Sequence, residues 1–285
     1  MSSPFAEATT VTAVAPGSYA AHLDDSWNLR PLPQGGVVTA VALRAIEDHL
    51  DDPDQRLRAL HTTFVGQVAD GPLEIDVDLL RRGRSMSQLR ADLRNPGARG
   101  GHVTTAVHGS TRRGFDFVDI APPVVPPPAE CPSFRDPPPP EYPDFEPMPF
   151  WDRRVDGRAA IGHPPWEDFE PERAERASWY RFDDPPYLPD GSIDPLSLVV
   201  LVDFMPGAVR ERVGWGDDWF APSVDLTVHL LGECRSPWVL AHNRARVAGD
   251  GYASLEMTLW DCGEDGTAAG RPVAHATQVC LFTFL

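Results

Sequence analysis

Between Pro122 and Pro149 the chain carries 13 prolines in 28 residues, and this stretch constrains everything on either side of it. Proline has no N–H to give to a sheet ladder and favours extended geometry, so a run this dense is a connection. It divides the 285 residues into two parts with one pattern. Before it, Val38, Val41, Ala42, Ala45 and Ile46 recur at three- and four-residue spacing, which predicts a helix over 35–50 with one apolar stripe. Strand-like runs follow at 61–65, 73–79, 85–93 and 103–107. In the second, Leu73, Ile75, Val77 and Leu79 alternate with Glu74, Asp76 and Asp78, as a sheet with one buried face requires. After the prolines, 176–182 reads as a strand. Asp194 and Pro195 then supply an N-cap and a first-turn proline for an apolar helix over 196–204, which Pro206 and Gly207 stop. Four more strands are predicted at 224–231, 238–247, 252–261 and 273–284.

One helix on one antiparallel sheet leaves strand edges to cover, and two such units side by side share an edge. The prediction is an α+β chain of two fused helix-on-sheet units forming one extended sheet. Residues 1–118 form the first unit, 119–175 a Pro-rich linker and 176–285 the second. The seam between the units is the expected place for a site. Phe134, Tyr142, Phe145, Phe150 and Trp151 run through and just past the proline stretch, which favours a strap lying on the surface over a free recognition arm. Trp27 and Trp238 are expected as core or seam aromatics.

The formal net charge is −17, from 25 basic and 42 acidic residues. A field of that sign repels polyphosphates and anionic lipid, so neither nucleic acid nor a membrane surface is an expected partner. All the basic residues are arginine, which excludes a Schiff-base lysine, a phosphate-loop lysine and a lysine general base. Cys131, Cys234, Cys262 and Cys280 are too dispersed for a zinc site or a disulfide staple. The first residues lack a secretory pattern and no apolar run is long enough to span a bilayer. A cytoplasmic, reducing location is expected, with neither metal nor cofactor.

The glycine pair opening the first helix (Gly35, Gly36), the segment His61-Thr62-Thr63-Phe64, the run Leu80-Arg81-Arg82-Gly83-Arg84-Ser85 and the late segment around Gln278 together resemble the bacterial acyl-CoA thioesterase II family. The chain is similar to its actinobacterial thioesterase-like branch over nearly its whole length apart from the proline strap. The resemblance implies a double hotdog fold, a thioester hydrolase that releases a free acid and CoA by direct attack of water, and a homodimer of the double unit. In the family an aspartate, a threonine or serine and a glutamine from the second hotdog position that water. The resemblance assigns the aspartate to Asp225 and the glutamine to Gln278, and it places the threonine position at or beside Arg246, a departure from the pattern.

A thioester needs an oriented water and donors for the oxyanion. A thiol with pKa ~8.5 leaves with little help. Asp225 shares a strand face with Thr227 and His229, as a general base or as a solvent-facing carboxylate. Gln278 lies in an apolar strand, as a water-orienting amide or as a core amide bonded to backbone. Gly35 and Gly36 fit either a tight turn or a helix start open to a ligand. In hotdog enzymes such a helix start meets the thioester carbonyl, which makes the amides of Gly36 and Val37 the expected oxyanion site, with His61 beside the substrate. Arg81, Arg82 and Arg84 are the densest basic cluster, for a CoA phosphate or as a solvated hairpin tip.

A serine hydrolase is excluded by the lack of a G-x-S-x-G elbow, and a metallohydrolase by the lack of H-E-x-x-H. Two alternatives remain. Arg246 favours a non-catalytic acyl-CoA or lipid-binding protein. Asp225 with His229 faintly matches the aspartate and histidine pair of an enoyl-CoA hydratase-like enzyme.

Overall fold

The computed structural model describes residues 2–29, 31–137, 140, 148–164, 166–214, 219–263 and 266–284. The first half opens with a short helix α1 (Pro4–Ala8) and the strands β1 (Thr12–Ala15) and β2 (Ser18–Leu23). A long helix α2 (Gly35–Leu50) follows, and then β3 (Arg56–Phe64), β4 (Gly71–Arg81), β5 (Met86–Arg94) and β6 (His102–Gly109). Next come α3 (Pro149–Arg153), β7 (Val155–Ile161) and β8 (Glu175–Phe182). The second half continues with α4 (Pro195–Val202), α5 (Gly207–Val213), a two-residue strand β9 (Trp219–Phe220), β10 (Asp225–Leu230), β11 (Val239–Gly249), β12 (Tyr252–Cys262), β13 (Ala268–Leu281) and β14 (Thr283–Phe284).

Twelve strands form one antiparallel sheet in the order β1-β2-β4-β5-β6-β3-β10-β13-β12-β11-β8-β7, and β9 pairs with β14 in a separate ribbon. Read outward from the β3–β10 seam, the two halves have the same order, each with its helix inserted between the same two strands. They also share a defect. One extra residue interrupts the β4–β5 ladder between Leu79 and Arg81, and one interrupts the β11–β12 ladder between Ala245 and Val247. Bulges mark fixed places in a fold, so the matching pair sets the correspondence of the halves residue by residue. This is the double hotdog architecture.

Both helices lie on one face of the sheet and run antiparallel to each other. The side chain of Gln34, at the start of α2, donates to the carbonyls of Val200 and Asp203 at the end of α4. Arg44, further along α2, is ion-paired with Asp194 at the start of α4. Residues 196–202 of α4 are all buried, as expected of a helix apolar all round. Between them the helices and the inner sheet face build the main core.

The proline strap covers the other face of the second half. Its Pro126 carbonyl accepts from the Trp179 indole at 2.9 Å, and Cys131 packs with Ala177, Trp179, Leu240 and Trp260 into a second, smaller core. Phe134 and Phe150 are buried, and Trp151 packs on Phe204 and Tyr180. Trp27 is buried against Phe5 and Phe150, whereas Trp238 is half-buried beneath Arg158 and Arg181. Tyr142 and Phe145 lie outside the described residues.

The structure differs from the sequence expectation in several places, beginning with α1, β1 and β2, which precede the first predicted helix. The segment expected as pure linker contributes β7 to the sheet edge; its pattern does not alternate because Val155, Asp156 and Gly157 are all buried. The helix expected to run to residue 204 stops at Val202. Pro206 and Gly207 lead into a further helix, α5, with Pro206 as its N-cap, rather than only ending its predecessor. No helix among the described residues is long and apolar enough to cross a membrane.

Candidate active site

The residue that follows the buried helix α4 is an aspartate. Asp203 is only 7% exposed, and a carboxylate so placed needs partners. They come from three segments. The Gly36 amide, at the start of α2, donates to its Oδ2 at 2.9 Å. The Gln278 side-chain amide, from β13, donates to its Oδ1 at 2.6 Å. The Ser223 hydroxyl, just ahead of β10, donates to Oδ1 at 3.4 Å and accepts from Gln278 Nε2 at 2.7 Å. Asp203 thus caps a helix from the other half of the molecule, where the unsatisfied amides and the macrodipole favour negative charge. Burial outweighs these contacts and lifts its pKa from 3.8 to about 6. Gln278 is itself buried, and its Oε1 has no partner among the described residues.

The two glycines make this arrangement possible by lacking side chains. A Cβ on Gly36 would stand 2.5 Å from the Val199 carbonyl, and one on Gly35 would stand 2.8 Å from Asp203 Oδ2. Only glycine lets α2 approach the end of α4 closely enough for Asp203 to reach the helix amides. Gln34 completes the clasp: its Oε1 accepts from the Val37 amide at 2.8 Å while its Nε2 covers the last carbonyls of α4.

Of the residues singled out in the sequence, Gly35, Gly36, Val37 and Gln278 meet here, and the others do not. The aspartate beside Gln278 is Asp203, not Asp225. Asp225 alternates with the buried Leu226 and Val228 and so faces the opposite side of the sheet, where its Oδ1 accepts from the Val279 amide at 2.8 Å. His61 is on that side as well, bonded to Thr227 at 2.9 Å and Thr63 at 3.2 Å and standing 3.9 Å from Asp225. The hydroxyl residue of the group is Ser223 and not the neighbourhood of Arg246. Arg246 is the extra residue of the β11 bulge, exposed and paired with Glu256. The Gly36 and Val37 amides expected to await an oxyanion are already engaged by Asp203 and Gln34.

Arg81, Arg82 and Arg84 are exposed around the β4–β5 turn. The carbonyl of Gly83 in that turn accepts from Gln55, just before β3, whereas Gly35 lies against Phe64 at the other end of β3. Nine residues at ~3.3 Å each put about 30 Å between the arginines and Asp203. The sequence did carry a signal for Asp203, a single carboxylate directly after seven apolar or small residues. It was absorbed into the predicted helix.

Residues 23–111 match a family model described as the acyl-CoA thioesterase N-terminal domain, and residues 128–282 one described as the acyl-CoA thioesterase C-terminal domain. No curated protein is significantly similar in sequence. Among solved structures, a conserved hot dog-fold protein of unknown function from Alicyclobacillus acidocaldarius is 22% identical, with a TM-score of 0.82 over 100% of both chains. An acyl-CoA thioesterase II, TesB2, from Mycobacterium marinum is 19% identical, with a TM-score of 0.74 over 99% of this chain and 98% of that one.

Proposed function

Since the chain belongs to the acyl-CoA thioesterase family and is a thioester hydrolase, we propose that it cleaves an acyl-CoA to a free acid and CoA by direct attack of water, with Asp203 as the general base. The observation that carries this reading is the buried pair of Asp203 and Gln278. A water between them gives one hydrogen to the Asp203 carboxylate and the other to Gln278 Oε1, the acceptor without a partner. Its lone pair is then free to attack the thioester carbon.

As the C–O bond forms, the proton passes to Asp203, whose pKa of about 6 keeps it ionised yet basic at neutral pH. The C–S bond then breaks and Asp203 returns the proton to the departing thiolate, itself a good leaving group. Ser223, loosely bonded to Asp203 at 3.4 Å, has a hydroxyl proton that can turn toward the developing oxyanion. Gln34, Gly35 and Gly36 hold the carboxylate in place.

The reading of the chain as a non-catalytic binder rested on Arg246, which is exposed and paired with Glu256 rather than with Asp203, Ser223 or Gln278, so that residue does not speak for it. The test is thiol release from acyl-CoA esters of several chain lengths. Wild type should release CoA, and Asp203→Asn should do so ~10²- to 10⁴-fold more slowly. Equal rates in the two proteins would refute the assignment.

A further inference from the structure

The correspondence fixed by the two bulges shows what the first half carries where the second carries its catalytic groups. Gln278 pairs with Leu255 as Ala106 pairs with Leu89, so Ala106 stands in the place of Gln278. Ser223 bridges to Cys280 as Leu57 pairs with His108, so Leu57 replaces Ser223 and His108 replaces Cys280. At this second helix junction, where α2 ends and α4 begins, lies a cavity of about 680 Å³. Its lining is mixed: Leu57, Ile193, Leu198 and Leu230 form an apolar part, and Glu47, Gln55, His108 and several charged residues form the rest. That volume is enough for a small molecule.

Two buried polar side chains line it without being satisfied. His108 is 1% exposed, and both its ring nitrogens are without partners among the described residues. Burial pushes its pKa down to about 4, so at neutral pH the ring is uncharged and offers one donor and one acceptor. Gln55 is 5% exposed; its Nε2 is held by Asp52 at 2.7 Å and the Gly83 carbonyl at 3.1 Å, which leaves its Oε1 as a bare acceptor. Gln55 and Leu57 alternate onto the same face of the chain, and Leu57 is the register partner of His108. Around the mouth, Asp51, Asp52, Asp190 and Glu233 outnumber Arg56 and Arg58. Arg56 is tied to Glu233 at 3.0 Å, and Arg58 donates to the Gly109 carbonyl.

We propose that this cavity is a second, non-catalytic binding site for an uncharged aliphatic secondary amide. The amide N–H donates to Gln55 Oε1, its carbonyl accepts from the protonated nitrogen of His108, and its alkyl chain lies on Leu57, Leu198 and Leu230. The acidic mouth repels carboxylates and phosphates, so a free fatty acid and CoA itself are excluded. The site supports no hydrolysis, because the positions of Gln278 and Ser223 are filled by Ala106 and Leu57.

The experiment is an NMR titration of the full chain with N-octylacetamide, following the His108 ring resonances assigned by comparison with His108→Asn. Wild type should give a saturable shift. Gln55→Leu, checked for its fold by thermal unfolding, should bind at least tenfold more weakly and keep its thiol-release rate. Octanoate and CoA should leave the His108 resonances unmoved. The proposal is overturned if N-octylacetamide gives no saturable shift, if octanoate shifts His108 equally, or if Gln55→Leu binds as well as wild type.

Discussion

The two helix junctions of this molecule are built to one plan and capped in opposite ways. At the start of α4 the cap is local: Asp194 accepts from the Leu196 amide, two residues away in the same chain segment, at 3.0 Å. At the start of α2 the cap is Asp203, 167 residues from the Gly36 amide it accepts from. The local carboxylate stands beside Arg44 and stabilises a helix. Both are buried, but the distant one is held by Gln278 rather than by an arginine, and its pKa is raised toward neutral pH. On the proposed reading only one of the two junctions serves catalysis, and the other holds a cavity of mixed lining.

The sharpest break in this comparison is expected from pH. If Asp203 is the base, kcat/KM falls about tenfold per unit below pH ~6, where the carboxyl takes up its proton. Asp203→Asn should lose that limb along with its ~10²- to 10⁴-fold slower turnover. Stability runs the other way. A carboxyl with its pKa raised in the fold stabilises it fully below the unfolded value near 3.8 and loses that contribution as pH rises through about 6. The asparagine variant should therefore unfold at pH 7.5 at the same temperature as wild type or higher, an exchange of stability for function. A lower unfolding temperature would recast Asp203 as a structural cap like Asp194.

A smaller effect is expected from Gly36→Ala, whose methyl meets the Val199 carbonyl. Forcing the helices apart should cost about 1–3 kcal/mol in denaturant unfolding and lower turnover with it. Asp194→Ala, the corresponding change at the local cap, should cost about 1 kcal/mol and leave thiol release within twofold. Loss of activity there would mean that the two junctions are coupled. Arg246→Ala should change neither rate nor stability, within about 0.5 kcal/mol, since among the described residues it pairs with Glu256 at the surface.

Much of this was legible in the chain. The alternation of Leu73 to Leu79, the stripe on 35–50 and the Asp194-Pro195 start are local signals, and the structure has β4, α2 and α4 at those places. Gln278 was recognised as an amide out of keeping with its strand. Asp225 was assigned by the resemblance, whereas its strand pattern also allowed a solvent-facing carboxylate. Leu226 and Val228 mark the inner face, so Asp225 points outward, away from the helices. Asp203 was passed over because the predicted helix absorbed it, and Ser223 because it is ordinary in its own neighbourhood.

By itself the sequence determined the two long helices, most of the central strands, their duplication and the need for a strap, because period, capping and proline content act over a few residues. The meeting of Asp203, Gly36, Ser223 and Gln278 was decided by tertiary structure alone. It depends on two antiparallel helices packed within the reach of a missing Cβ and on a seam that pairs β3 with β10. The raised pKa of Asp203 comes from burial, a property of the assembled core that no short stretch of sequence contains.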